Sequence, residues 1–333
     1  MRKIVDLITA TKMKILVHIA RLFVAVTFLF SGFVKLVDPL GSAYKFEEYF
    51  SVDVLNMEFL IPYALPFSIV LIVIEIMLGV MLLIGFKPKF TTWSLFLITL
   101  LFLFLTWYSA YYDKVTDCGC FGDAVKLTPW ETFNKNVLLI ILTGFLIRQV
   151  KKINPLLPNK LLGWVSLGSL MLFLYITSHV LTHLPIIDFR PYAIGKSIQD
   201  GMEEIAVDGL PKVHDFFLET EDGEDLTDAL LASSKVLFVV AYDIDISEQS
   251  GFETMKKATD LAIENGYTVY GLSSSYIDDL KVLNESQGFN FDWLFVDGTV
   301  LKTIIRANPG IITLEKGTVT GKWNWIDGDD FKP

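Results

Sequence analysis

The sequence predicts a membrane α-helical bundle followed by a soluble α/β domain. Two observations predict it. Apolar residues make up 52% of the 333-residue chain and mean hydropathy is +0.48, well above the ordinary soluble level. That excess ends near Leu184, after which long apolar runs give way to short strands alternating with amphipathic helices. A third observation concerns chemistry. The chain's only cysteines, Cys118 and Cys120, stand one glycine apart in "YYDKVTDCGCFGD", between two apolar segments.

A helix that crosses a bilayer needs about 20 mostly apolar residues, because lipid offers backbone groups no hydrogen-bond partners. Residues 15–36 qualify, interrupted by His18 and Arg21. Residues 62–86 qualify with Glu75 as their only charge, and 90–112 and 161–184 carry no charge. The weakest stretch, 133–147, has a short uncharged core. It counts as a span because only then do the flanking cations sort to one side. Arg2, Lys3, Lys12, Lys14, Lys87, Lys89, Arg148, Lys151, Lys152 and Lys160 then share the cytoplasmic face. The opposite loops dilute Lys35, Lys45, Lys114, Lys126 and Lys135 with Asp38, Glu47, Glu48, Asp113, Asp117 and Asp123.

The expected layout is a cytoplasmic tail over 1–14, a four-helix membrane domain over 15–150, and a fifth transmembrane helix over 160–185. A linker over 186–212 then leads to an extracytoplasmic domain over 213–333. The first span lacks a small-residue cleavage site and further spans follow, so it reads as a retained anchor. This layout predicts a bacterial inner-membrane protein with its cysteine loop and C-terminal domain in the periplasm. The lipid bilayer is one partner. A formal charge of −10 and no basic stripe exclude general nucleic-acid binding.

An outside loop is where thiols tend to be oxidised. A disulfide between residues i and i+2 is close to the shortest the chain can close, and Gly119 permits the tight turn because it adopts positive φ at no steric cost. A strained disulfide is more easily reduced and suits exchange. Two other readings stay open. One is a structural staple or simple packing, although a staple over so short a loop stabilises little. The other is metal capture, although two thiolates supply only half of a tetrahedral zinc site; no metal is expected.

After the linker, "DFFLETEDG" reads as a strand ending in a turn and 226–232 as a short helix. "KVLFVVAYD" is a buried strand by length and β-branched content. Residues 251–265 are helical with an apolar face and stop at Asn265-Gly266. "YTVYGLSS" is the next strand, 277–287 a helix, "FDWLFVD" a strand and 299–306 a helix. A hairpin turning at Lys316-Gly317 closes the chain. The alternation predicts a sheet with helices on both faces. Over about residues 216–325 this order resembles the thioredoxin superfamily of the TlpA or peroxiredoxin type, through "VLFVVAY", "NPGIITLEKG" and "GTVTGKW". The resemblance implies a cis-proline at Pro309 and a redox CxxC after the first buried strand. That region instead reads "DIDISEQSG", with no cysteine, which implies a fold retained for binding.

"RLFVAVTFLFSGFVKLVDP", "EIMLGVMLLIG" and "CGCFG" with "LTPWETFNKN" resemble the DoxX/MauE group of four-helix membrane proteins over residues 15–149. That resemblance implies thiol or sulfur redox service in the cell envelope, with an envelope thiol/disulfide protein as partner and quinone as a possible electron acceptor. It makes Cys118 and Cys120 the catalytic pair of a thiol-disulfide oxidoreductase. The competing function is a non-enzymatic assembly factor that binds clients through its cysteine-free thioredoxin-like domain. A transporter is disfavoured, because no inverted repeat or pair of broken helices is visible.

Arg21 and Glu75 lie inside spans, where an unpaired charge costs several kcal/mol. A rise of ~1.5 Å per residue puts them about 9 and 16 Å from the inner face. The expectation is an Arg21–Glu75 pair, either a structural clasp or a quinone or proton site. His179 and His183 share a helix face at i,i+4 and read as interfacial, with thiol tuning or metal binding as the alternative. Lys35 and Asp38 read as snorkelling or capping residues. Trp130, Tyr108, Tyr111 and Tyr112 fit an aromatic belt.

Overall fold

The computed structural model describes residues 2–112, 114, 119–207 and 209–333, by backbone alone for 2–10. The chain forms two compact units, Met1–Ser178 and His179–Pro333.

The first unit is helical: α1 (Arg2–Val37), α2 (Pro39–Phe50), α3 (Ala64–Ile84), α4 (Pro88–Tyr112), α5 (Pro129–Arg148) and α6 (Asn159–Thr182), with a 3-10 turn over Glu58–Tyr63 leading into α3. Among the described residues four helical stretches are long and apolar enough to cross a membrane: Thr11–Val37, Glu58–Ile84, Pro88–Tyr112 and Asn159–Thr182. The chain is a multi-pass membrane protein. The weakest expected span, 133–147, lies in α5, which packs along α4 but is not one of these four. Its first turns carry Glu131, Asn134, Lys135 and Asn136, so its apolar length is short. Its start is firm, since Thr128 and Glu131 cap each other reciprocally.

α1 and α3 pack closely because each offers a glycine at the crossing. A Cβ on Gly32 would lie 2.7 Å from Ile76 Cβ, and one on Gly79 would lie 3.0 Å from Leu29 Cγ. Two features depart from the sequence reading. The expected tail over 1–14 is helical from Arg2 onward, continuous with the span. The loop after α1 holds α2, which starts where the Asp38 carboxylate accepts from the Gly41 amide and Pro39 takes the first turn. The capping role expected of Asp38 is therefore present.

The second unit is a five-stranded sheet in the order β3-β2-β1-β4-β5. The strands are β1 (Val236–Val240), β2 (Thr268–Ser273), β3 (Asp292–Phe295), β4 (Gly310–Glu315) and β5 (Thr318–Asn324). β1, β2 and β3 are parallel, β4 runs antiparallel to β1, and β5 runs antiparallel to β4 and so in the direction of the first three. Helices α7 (Ile198–Glu203), α8 (Thr227–Ala232), α9 (Gly251–Glu264), α10 (Ile277–Gln287) and α11 (Gly298–Ile304) complete the unit. β1 is buried along its whole length. Phe238 packs into one apolar core and Leu237 into a second, so the sheet is covered on both faces. With a cis Asn308–Pro309 bond entering β4, this is the thioredoxin-like arrangement expected from the sequence. Lys316 and Gly317 both adopt positive φ, 48° and 73°, as a tight hairpin turn requires.

"DFFLETEDG" is not a strand of this sheet. Its burial alternates, with Phe216 and Leu218 inward and Phe217 and Glu219 outward, but it pairs only through isolated bridges from Glu219 to Phe295 and Asp225. Nor is 186–212 an open linker. Tyr192 and Ile198 are 2% and 1% exposed in the core, and Asp188 bonds both Arg190 and Lys322 of β5. Such apolar and charged side chains fold back because the sheet's core has places for them.

Candidate functional site

Cys120 is half-buried and lines a small cavity in the first unit, together with Lys35, Lys45, Tyr49, Ser68 and Gly119. Cys118 lies outside the described residues. Gly119 sits at φ +64°, a backbone conformation that favours glycine between the cysteines, and a Cβ there would also press on Lys45 Cγ at 3.1 Å.

The charge beside this cavity belongs to Lys35. Its Nζ donates to Glu75 Oε2 at 2.8 Å, with side chains 9% and 3% exposed. It also donates to Ser31 Oγ at 3.2 Å, and the Ser31 hydroxyl donates to the Cys120 carbonyl at 2.6 Å. The Phe102 ring lies 5.3 Å from the ammonium. A chain of polar contacts therefore runs from Glu75 on α3 through Lys35 and Ser31, one turn apart on α1, to the cysteine loop. Charges so far from water persist only when paired and hydrogen-bonded. Nearby polar groups are paired too: Tyr49 with Ser109 at 3.0 Å, Ser68 with the Pro39 carbonyl at 3.1 Å, and Asn136 with Thr106 at 3.2 Å.

The expected Arg21–Glu75 pair does not form. Arg21 instead donates from Nε to the Leu82 carbonyl, from Nη2 to that of Leu83 and from Nη1 to that of Asn154, each at 2.8 Å. The physical reason is the end of α3. Its last carbonyls have no partner within the helix and carry the negative end of its dipole, and the planar guanidinium fork satisfies them. Glu75 stands seven residues before Leu82, about 10 Å along the axis. Arg21→Met is expected to destabilise the first unit by about 3 kcal/mol or more, from losing charged hydrogen bonds, with partial recovery in Arg21→Lys. Thermal unfolding in detergent micelles measures both.

These residues do not fit a quinone. Arg21 is held by carbonyls and Glu75 by Lys35. The cavity beside Lys35 is about 60 Å³, room for a few waters at roughly 10–15 Å³ each and not for a ring. Lys35 is the residue that sequence reasoning missed. The signal was the i,i+4 spacing of Ser31 and Lys35 in "SGFVKLVDP", which puts two polar groups on one face of an apolar helix.

His179 and His183 stack at 4.5 Å, and His183 Nε2 lies 3.5 Å from Asp327 Oδ1 within the second unit. Tyr108 donates to the Val54 carbonyl at 2.8 Å, so it ties a loop besides joining the aromatic cluster that ends α4. In the second unit, the segment after β1 holds a 3-10 turn at Ile244–Ile246. The Glu248 amide there donates to the Asn308 carbonyl beside Pro309 at 3.0 Å. Serine, glutamate and glutamine stand where the thioredoxin resemblance implies a thiol pair, so this site has no sulfur chemistry of its own.

Residues 13–149 match the Methylamine utilisation protein MauE family. The match spans Ser31, Lys35, Glu75 and the cysteine loop, and leaves α6 and the second unit outside it. Among solved structures, a thiol:disulfide interchange protein from Bacteroides sp. aligns at 18% identity over 32% of this chain and 74% of its own, with a TM-score of 0.26. No curated protein matches the sequence.

Proposed function

We propose that the chain is a membrane-bound thiol–disulfide redox protein whose Cys118–Cys120 pair exchanges with a protein partner in the cell envelope. The observation that supports this most is the position of Cys120. Its loop is hydrogen-bonded to a fully paired, buried Lys35–Glu75 unit inside the MauE-matched region. The exchange needs no other reactant. A thiolate of the pair attacks a partner disulfide, one partner sulfur leaves, and the second cysteine displaces the other. Two thiols become one disulfide here while one disulfide becomes two thiols there, so electrons and protons balance. In reverse the same steps oxidise a client.

In this reading the N-terminus is cytoplasmic, α5 crosses as the fourth span and α6 as the fifth, and the loop and second unit share the outer compartment of a bacterial inner membrane. The cysteine-free second unit recruits the partner. A membrane-impermeant maleimide, applied to cells before and after mild reduction, tests this, with Cys118→Ser and Cys120→Ser as controls. Labelling that appears only after reduction is expected, with a trapped mixed disulfide in one single variant. Thiols that always label would leave only recruitment, and labelling only in broken cells would overturn the orientation.

A further inference from the structure

The second unit carries a groove of about 480 Å³ at the carboxyl end of β3, the kind of position where open α/β sheets bind ligands. Phe217 on the extended segment and Phe295 on β3 flank it, 52% and 53% exposed. Glu219 bridges to Phe295, and the alternating burial of 216–219 turns Phe217 and Glu219 to the same side. Two half-exposed phenyl rings in one concave site form an apolar surface awaiting cover.

Tyr192 belongs to the same lining and is 2% exposed, yet among the described residues its buried hydroxyl has no hydrogen-bond partner. A buried donor left unpaired costs about 1–3 kcal/mol, so the groove is incomplete as it stands. An occupant with an acceptor, such as a peptide carbonyl, removes that cost. Charge narrows the class further. Asp215, Glu219 and Asp297 line the groove as exposed carboxylates. Its lysine, Lys212, is tied to Glu204, and the His214 ring bonds the Pro211 carbonyl.

We propose that this groove binds an extended polypeptide segment bearing aromatic and basic side chains. The rings pack on Phe217 and Phe295, the basic groups face the carboxylates, and a backbone carbonyl accepts from Tyr192. This rests on the recruiting role proposed for the second unit and not on the thiol step.

The test uses the full chain in lipid nanodiscs and fluorescence anisotropy of a labelled Gly/Ser peptide carrying alternating phenylalanine and arginine. Counterparts replace arginine with glutamate or phenylalanine with serine. The parent peptide is expected to bind best. Phe217→Ser with Phe295→Ser should weaken it at least about tenfold, the loss expected for two exposed contact rings. Tyr192→Phe, which keeps the core filled, should weaken it about fivefold, one hydrogen bond's worth. Asp215→Asn with Glu219→Gln should flatten its salt dependence. Equal binding of the glutamate peptide, or no loss in the double phenylalanine variant, overturns the proposal. Failure of every peptide while the maleimide assay still reports an exchangeable disulfide overturns the groove and leaves the redox reading standing. Groove binding with inert thiols supports the groove and sinks the redox reading alone.

Discussion

Replacing Lys35 with methionine is expected to destabilise the first unit by about 3–5 kcal/mol, and adding Glu75→Gln should restore most of that loss. The single change leaves the Glu75 carboxylate, 3% exposed, without its cation inside a bundle that contains little else to solvate it. Glu75→Gln alone strands the ammonium, although Ser31 and the Phe102 ring still face it, so its cost should sit at the lower end. The double variant removes both desolvation penalties at once and is limited mainly by packing. Denaturant or thermal unfolding of the four proteins in one detergent gives the coupling energy directly. A coupling near zero would mean the two side chains act independently and would remove the pair from the site. The same series reads the cysteine loop. Because Ser31 connects Lys35 to the Cys120 carbonyl, Lys35→Met should also loosen the loop, seen as faster alkylation in the reduced protein.

The error over Arg21 and Glu75 shows where sequence reasoning stops. Depth along each helix was legible, and it placed the two charges in the same slab. Rotation was not, because a charge inside an apolar run has no neighbouring polar stripe to fix which way it faces. Partners were then assigned by depth alone, whereas the structure assigns them by end. Arg21 meets the terminal carbonyls of α3, and Glu75 meets a lysine whose place in the sequence is the outer end of the first span. The second unit was legible almost strand by strand because its periods are short and its turns carry their own signals, such as Lys316-Gly317. Its misreadings share one cause. "DFFLETEDG" has a strand's alternation, and 186–212 has a linker's look. Whether an extended segment joins a sheet, lies against it or hangs free depends on partners far away in sequence. For Asp188 that partner is Lys322, on the last strand.

That long-range contact carries the second large effect. Asp188 accepts from Arg190 Nε at 2.7 Å and Nη2 at 2.9 Å, and from Lys322 Nζ at 2.7 Å. Burial alone would raise its carboxyl, but the two cations more than offset this and hold it at about 2. Lys322 is drawn down to about 7 by burial and by Arg190, against the pull of Asp188. In the unfolded chain a lysine keeps its proton to about 10.4, so between these values the unfolded state binds more protons. The second unit should therefore become more stable as pH rises from about 7 towards 10, by up to roughly 1.4 kcal/mol per unit. Hydrogen exchange of the β4 and β5 amides in the full chain reads this slope, and Lys322→Met should abolish it. A flat profile in the parent protein would mean that Lys322 stays charged throughout and that Asp188 dominates it. Asp188 has the opposite margin: its contribution holds above about pH 4 and is lost as pH falls through about 2. Asp188→Asn should cost about 3–5 kcal/mol at neutral pH, since it leaves the buried Arg190 guanidinium without its anion. Lys322 also donates to the Tyr192 carbonyl at 3.2 Å, so the cluster holds the tyrosine that lines the groove. Asp188→Asn should therefore weaken peptide binding under conditions where the unit remains folded, even though Asp188 is not among the groove's lining residues.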